Sequence, residues 1–201
     1  MTPIRIAGVL HGTRANGPGL RNICWVQGCS LNCPACFSPH THDPLAGRVV
    51  DADELAQDLL SVSCGGVTIS GGEPFQQVDG LARLVTTLRA RGCTSILVYT
   101  GYTIGELRAR PRQRNELCFA TDIIGLAGRP GLVDILVAGR YAKAHPEGWG
   151  LRSSTNQFVH FLSDAHDPEE LNHPNGVEVH LVAGRQIVTG FPDAMLLEDL
   201  A

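Results

Sequence analysis

Residues 21–37 read Arg21-Asn22-Ile23-Cys24-Trp25-Val26-Gln27-Gly28-Cys29-Ser30-Leu31-Asn32-Cys33-Pro34-Ala35-Cys36-Phe37. A short run with β-like apolar residues breaks at Gly28 into a loop that carries three cysteines. The run Arg21–Gln27 predicts a strand, and the cysteine spacing is C-x3-C-x2-C. Gly28 lets the chain turn sharply out of the strand. Pro34 donates no backbone hydrogen bond and stiffens the loop. Thiolates ligate soft metals and iron–sulfur clusters, and a tight loop brings several sulfurs onto one centre. Three thiolates on a four-iron cluster leave one iron open to a substrate. A Cys3His zinc set made with His40 is the competing reading of the same spacing.

Outward from this loop the chain alternates strand and helix. Ile4–Leu10 reads as a strand. Asp51–Leu60 reads as a helix, with Asp51 as its cap, Glu54 at the reciprocal position, and Leu55, Leu59 and Leu60 on one face. Val67–Ser70 is a short strand ending at Gly71-Gly72. Val78–Arg91 is a helix with Leu81, Leu84, Val85 and Leu88 in a stripe. Ser95–Thr100 is a strand, Thr103–Arg110 a helix stopped by Pro111, and Val133–Val137 a further strand. This order predicts an α/β fold built on a parallel sheet. Ligands of such sheets bind beyond the carboxyl ends of the strands. The cysteine loop, the Ser70–Glu73 turn and the Thr100–Tyr102 turn are expected there together. The tail adds the strand-like runs Val177–Val182 and Gln186–Thr189 around Gly184-Arg185, a predicted hairpin. A core of residues 1–165 with a small C-terminal extension, 166–201, packed on it is the expected organisation.

Bulk composition narrows the function. The chain has 201 residues, enough for one domain with a small appendage, and a net charge of −4. Basic residues are scattered, which argues against a nucleic-acid polymer as partner. No secretion signal and no apolar run near ~20 residues is present, so neither export nor a membrane is expected, and the cytosol is. Seven cysteines, an odd count, argue against a disulfide framework. Cys24, Cys64, Cys93 and Cys118 lack paired spacing and read as core residues. His11, His40 and His42 are expected near the site, with surface or hydrogen-bonded histidine as the plain alternative. The arginines 108, 110, 112 and 114 read as a solvated loop or a face for an acidic partner.

C-x3-C-x2-C after a strand is the signature of the radical S-adenosylmethionine superfamily, and Ser70-Gly71-Gly72-Glu73-Pro74 resembles that superfamily's GGE motif. Six segments resemble the activating proteins of anaerobic (class III) ribonucleotide reductases, which are glycyl-radical-enzyme activases. They are Asn16–Arg21, Gln27–Phe37, Val67–Gln76, Tyr99–Tyr102, Asp134–Tyr141 and Leu151–Gln157, and the likeness spans roughly residues 5 to 160. The resemblance implies a partial (incomplete) TIM-like β/α barrel. It implies a 4Fe–4S cluster on Cys29, Cys33 and Cys36, with S-adenosylmethionine chelating the open iron. An electron from a flavodoxin-like donor would cleave the cofactor to methionine and a 5′-deoxyadenosyl radical, which abstracts hydrogen from a glycine of a large glycyl-radical enzyme.

Residue roles follow from the same resemblance. Gly71, Gly72 and Glu73 would hold the methionine amino group. Phe37 and the backbone from Ala35 would meet the adenine. Ser70 and Thr100 would bond the methionyl or ribose groups. Asp134 would contact the cofactor or orient a neighbour, and Asn156 and Gln157 would line the partner mouth. Ser38, His42, Ala138 and Ser153 depart from the family pattern, as does the long tail. These departures bear on what receives the radical, and they keep a stand-alone enzyme acting on a small metabolite or peptide in view. A small-molecule pocket under the tail would favour that alternative, and a zinc-binding module stands third.

Overall fold

The computed structural model describes residues 1–111, 116–126 and 130–192. Its central sheet holds β1 (Pro3–Thr13), β2 (Arg21–Val26), β3 (Arg48–Asp51), β4 (Gly66–Gly71), β5 (Ile96–Thr100), β6 (Ile135–Ala138) and β7 (Phe158–Phe161). The spatial order is β3-β1-β2-β4-β5-β6-β7. The central strands β2, β4, β5 and β6 run parallel, while β1, β3 and β7 pair antiparallel. The sheet is therefore mixed at both edges rather than parallel throughout. Only seven residues join β1 to β2. A connection that short carries no helix, and a parallel return needs about a dozen residues or more.

The parallel strands are short and mainly apolar because both of their faces are covered, with Arg21, Asn22, Thr68 and Thr100 as buried polar exceptions. One face packs on α1 (Ala52–Leu59), α2 (Val78–Ala90) and α4 (Ala120–Ile124). Leu55, Ala56 and Leu59 of α1 and Leu81, Leu84, Val85 and Leu88 of α2 meet Cys24, Val26, Ile69, Ile96, Val98 and Leu136 there. Asp51 caps α1, accepting from the amides of Asp53 and Glu54, and Thr103 caps α3 (Ile104–Ala109) in a reciprocal pair with Glu106. On the opposite, inner face, Leu97, Ile135 and Val137 pack against Leu151 and Leu171.

The predicted tail hairpin forms as β8 (Val177–Val182) and β9 (Arg185–Gly190), a separate two-stranded ribbon turning at Ala183-Gly184. It reaches back to the start of the chain. Thr189 Oγ1 donates to Asn16 Oδ1 at 2.6 Å, and Glu178 accepts from the Arg14 amide. No helix among the described residues is long and apolar enough to cross a membrane. Arg112 and Arg114 lie outside the described residues. Arg110 pairs with Glu116 at 2.6 Å, and Arg108 is exposed.

Candidate functional site

Three loops converge at the carboxyl ends of β2, β4 and β5. They line a cleft of about 140 Å³ with Cys29, Cys33, Cys36, Phe37, Ser70, Gly71, Gly72, Glu73, Thr100 and Gly101. The loops are stitched together by backbone: the amide of Gly72 donates to Val26 O at 2.8 Å and that of Glu73 to Gly28 O at 2.9 Å. The glycines are what permits this. A Cβ on Gly72 would stand 2.3 Å from the Gly28 carbonyl oxygen, and one on Gly71, at φ +100°, would stand 2.5 Å from that of Val26. In this fold the two glycines bring the turn against the root of the cysteine loop. Inside that loop Asn32 and Ala35 are left-handed, at φ 46° and 55°, a conformation that costs a non-glycine residue about 1 kcal/mol or more.

Glu73 is the electrostatic centre of the cleft. It is 1% exposed, and its carboxylate accepts from Phe75 N (2.9 Å), Thr100 Oγ1 (2.8 Å) and Gly101 N (2.8 Å). Burial pushes its pKa up to about 7, and the three hydrogen bonds oppose that rise. Three of a carboxylate's roughly four acceptor positions are thus taken by the protein, leaving one for a ligand donor. Thr100 spends its hydroxyl on Glu73 and accepts from Tyr102 N. It braces the carboxylate from the wall of the cleft.

The cysteines fit a metal cluster. Burial raises the Cys29 and Cys36 thiols above their ordinary value, and no lysine or arginine among the described residues lines the cleft to offset thiolates. A bound metal supplies that positive charge and deprotonates the thiols outright. His42 gives its carbonyl to the Cys29 amide at 3.1 Å, and its Nε2 is buried without a hydrogen-bond partner. Among the described residues no three His, Cys, Asp or Glu side chains form a group that could hold a metal ion, and His40, the fourth member of the zinc set, is exposed. A cubane spreads its thiolates around a larger body.

The remaining expected residues divide. Phe37 lines the cleft, 40% exposed, with Tyr141 at 4.9 Å between ring centroids. Ala35 is exposed in the loop beside it. Asp134 lies at the other end of the sheet, just before β6. There it accepts from Arg89, from Ile96 N (2.7 Å) and from Ser163 Oγ (2.6 Å). It is a structural brace away from the cofactor cleft, because the strand that carries it runs toward the cleft and Asp134 stands at its start. His11 also falls at that far end, facing Asp58 at 3.6 Å. Gln157 lines the cleft but is buried, holding Ser153, Ser154 and the Gly139 carbonyl. Asn156 is exposed and donates to Arg140 O. Cys24 and Cys93 are buried in the core, while Cys64 and Cys118 are half-buried, and Cys64 donates to Asn22 Oδ1.

Tyr99 is the residue whose role the sequence reading left unassigned. It lines the cleft from β5, and its hydroxyl is buried without a partner. The alternation Ile96, Leu97, Val98, Tyr99 puts it on the inner face with Leu97, a signal present in the period-two pattern.

Residues 15–160 match the family described as 4Fe-4S single cluster domain. Pyruvate formate-lyase-activating enzymes of Staphylococcus epidermidis and Staphylococcus aureus are each 35% identical over 132 residues, 59% of this chain and 52% of theirs. The chain thus spans about half the length of the curated relatives it matches. QueE from Escherichia coli is similar over 51% of this chain and 55% of its own, at 19% identity and a TM-score of 0.45. The resemblance to activases read from the motifs is met by relatives of that name, and the matching family is one of 4Fe-4S single-cluster domains. With the family match covering most of the chain and the three cysteines gathered beside Glu73, the protein belongs to the 4Fe–4S single-cluster domain family.

Proposed function

We propose that this chain is a radical S-adenosylmethionine enzyme of the activase type, which generates a glycyl radical on a partner resembling an anaerobic ribonucleotide reductase. The observation that carries the reading is the convergence of Cys29, Cys33 and Cys36 with the Gly71–Glu73 turn in one cleft. When bound, the cluster and S-adenosylmethionine supply a 5′-deoxyadenosyl radical that takes a hydrogen atom from the substrate. The chain's own part is binding and exclusion. Cys29, Cys33 and Cys36 would hold the cluster, and three thiolates on four irons would leave one iron for the cofactor. Glu73, fixed by Thr100 and Gly101, offers its last acceptor position to the methionine ammonium. Phe37 and the backbone at Ala35 meet the adenine, and Ser70 faces the sugar. The sheet is the wall of an incomplete β/α barrel, and its strand ends open on the cleft. A flavodoxin-like donor in the reducing cytosol supplies the electron.

A second reading, a stand-alone radical enzyme acting on a small metabolite or peptide, is favoured by one observation: a chamber of about 410 Å³ lies between the inner face of the sheet and the tail hairpin.

The test uses iron-loaded, anaerobically reduced protein with S-adenosylmethionine. Release of methionine and 5′-deoxyadenosine, followed by a glycyl signal in electron paramagnetic resonance when the partner reductase is added, supports the activase. Cleavage without a protein radical favours the second reading, and a colourless zinc protein without iron defeats both.

A further inference from the structure

The chamber under the hairpin adjoins the cofactor cleft, sharing Phe37, Ser38, Ser70, Tyr99 and Ser153 with it. Its far wall is the hairpin itself, from Ile187 to Phe191. The hairpin is pinned in place by the Thr189–Asn16 hydrogen bond and by Phe191 packing on the inner-face cluster. At Gly190 a Cβ would stand 2.2 Å from the Gly176 carbonyl oxygen and 2.7 Å from Ala15 Cβ. Such close contact makes the ribbon a fitted wall.

Three features of the chamber describe its ligand. No aspartate, glutamate, lysine or arginine stands among its described lining residues. A phosphate or carboxylate would meet no lysine or arginine there, only the exposed imidazole of His40, which a low-dielectric cavity penalises. Next, the walls left free by the cofactor combine the aromatic rings of Trp25, Tyr99 and Phe191 with the hydroxyl and amide groups of Ser38, Ser153 and Asn16. That mixture binds uncharged polar chain rather than an ion. Finally, the buried hydroxyl of Tyr99 has no partner in the protein and lies where chamber and cleft meet. A buried hydroxyl left unpaired costs about 1–3 kcal/mol, so the position is built for a ligand acceptor or donor.

The outer side of the hairpin decides between a metabolite and a macromolecule. In the β8–β9 register Glu178 stands opposite Thr189 and faces inward, so Val177, Val179 and Leu181 share the outward side. They are 37%, 48% and 78% exposed. An apolar stripe on the rim of a substrate chamber fits a protein that lays its surface on the hairpin while a segment enters beneath it.

We propose that the hairpin β8–β9 is the substrate-selecting wall of the enzyme. On this assignment the chamber admits an uncharged, extended segment of a partner protein, and the Tyr99 hydroxyl anchors a peptide group of that segment beside the cofactor. The proposal rests on the radical reading of the cysteine cleft. In the step it serves, the C5′ radical of the cofactor fragment takes one hydrogen atom from a glycine Cα, leaving 5′-deoxyadenosine and a carbon-centred radical on the segment.

The test uses the reduced, iron-loaded full chain and capped alternating Gly-Ala peptides deuterated at the glycine Cα. One is uncharged, and one carries aspartates in place of two alanines. The readout is deuterium in 5′-deoxyadenosine per cofactor cleaved. The uncharged peptide is expected to donate deuterium and the acidic one far less. Ile187→Trp, which fills the chamber from the hairpin side, is expected to abolish the transfer. Tyr99→Phe, which removes only the hydroxyl, should raise KM for the peptide about fivefold, the worth of one neutral hydrogen bond, with kcat little changed. Equal donation by both peptides, undiminished transfer in Ile187→Trp, or cofactor cleavage with no transfer from either peptide overturns the proposal. Transfer from deuterated glycerol in place of the peptides makes the chamber a metabolite site and also overturns it. Absence of any cofactor cleavage in the unaltered chain defeats the radical reading instead.

Discussion

The two ends of the parallel strands both bury charge, and they differ in what faces it: the cysteine cleft opens at the carboxyl ends. At the amino ends Arg21 is fully buried, yet it is fully occupied: it donates to Thr68 Oγ1, Pro18 O, Val67 O and the hydroxyl and carbonyl of Ser95. Asp134 is held by Arg89, Ile96 N and Ser163 in the same neighbourhood. The Arg21 and Asp134 network is closed on itself, and the buried Nδ1 of His11 is the one buried polar side-chain atom at this end, among the described residues, left without a partner. At the carboxyl ends the cysteine thiols face a cleft with no protein cation, Glu73 keeps an acceptor position, and Tyr99 and His42 each hold a buried polar atom unpaired. Buried charge marks architecture where its partners are complete. It marks chemistry where the partners are missing and a cavity lies in front of them.

The largest test of this contrast is at the cysteines. Replacing any one of Cys29, Cys33 or Cys36 by alanine is expected to cost most of the cluster and all cofactor cleavage, read as iron and sulfide content and as methionine released. Gly72→Ala comes next. Its Cβ would meet the Gly28 carbonyl at 2.3 Å, backbone against backbone, so the turn and the cysteine loop must separate. The expected cost is about 2–3 kcal/mol in stability together with cluster loss, seen as a lowered denaturant midpoint and a weaker visible absorbance.

Asp134→Asn sharpens the contrast from the other end. Arg89 would lose its buried carboxylate partner, and a stability loss of about 1–3 kcal/mol is expected in thermal melts. Cofactor affinity per folded molecule should hold within about twofold, a change under ~0.5 kcal/mol. A large loss of affinity with unchanged stability would move Asp134 back into the site.

A pH dependence is expected at Glu73 as well. Its folded pKa, about 7, lies above the ordinary carboxylate value, so the folded protein holds this proton more tightly than the unfolded chain. The contribution of Glu73 to stability therefore falls as pH rises from the ordinary carboxylate range toward 7, and is level beyond. Glu73→Gln should flatten that slope in denaturant titrations across this window. The methionine ammonium needs the ionised form, so cofactor affinity in the unaltered chain should rise through pH 7. An affinity that is flat there would remove the carboxylate from cofactor binding.

How far the sequence reaches is clear from the same residues. The cysteine spacing and Gly71-Gly72-Glu73 mark the site, because local chain geometry and ligand chemistry are both written in short motifs. The helix stripes and the tail hairpin are legible for the same reason, since period and turn residues are local. The strands Arg48–Asp51 and Phe158–Phe161 escape that reading. Each is a four-residue edge strand whose existence depends on the neighbour it pairs with. Asp134 was legible as an unusual residue but not as a brace, since its partners Arg89 and Ser163 are 45 and 29 residues away.

By itself, then, the sequence pointed to three cysteines, a glycine-rich turn and an acid meeting in one place on an α/β sheet, and they line one cleft. Spacing within a loop constrains ligand geometry whatever the rest of the chain does. Only the tertiary structure decided which end of the strands is reactive, that Thr100 serves Glu73, and that the tail folds back as the wall of a chamber. Those facts depend on which distant groups satisfy one another's hydrogen bonds, and on which are left facing a cavity with none.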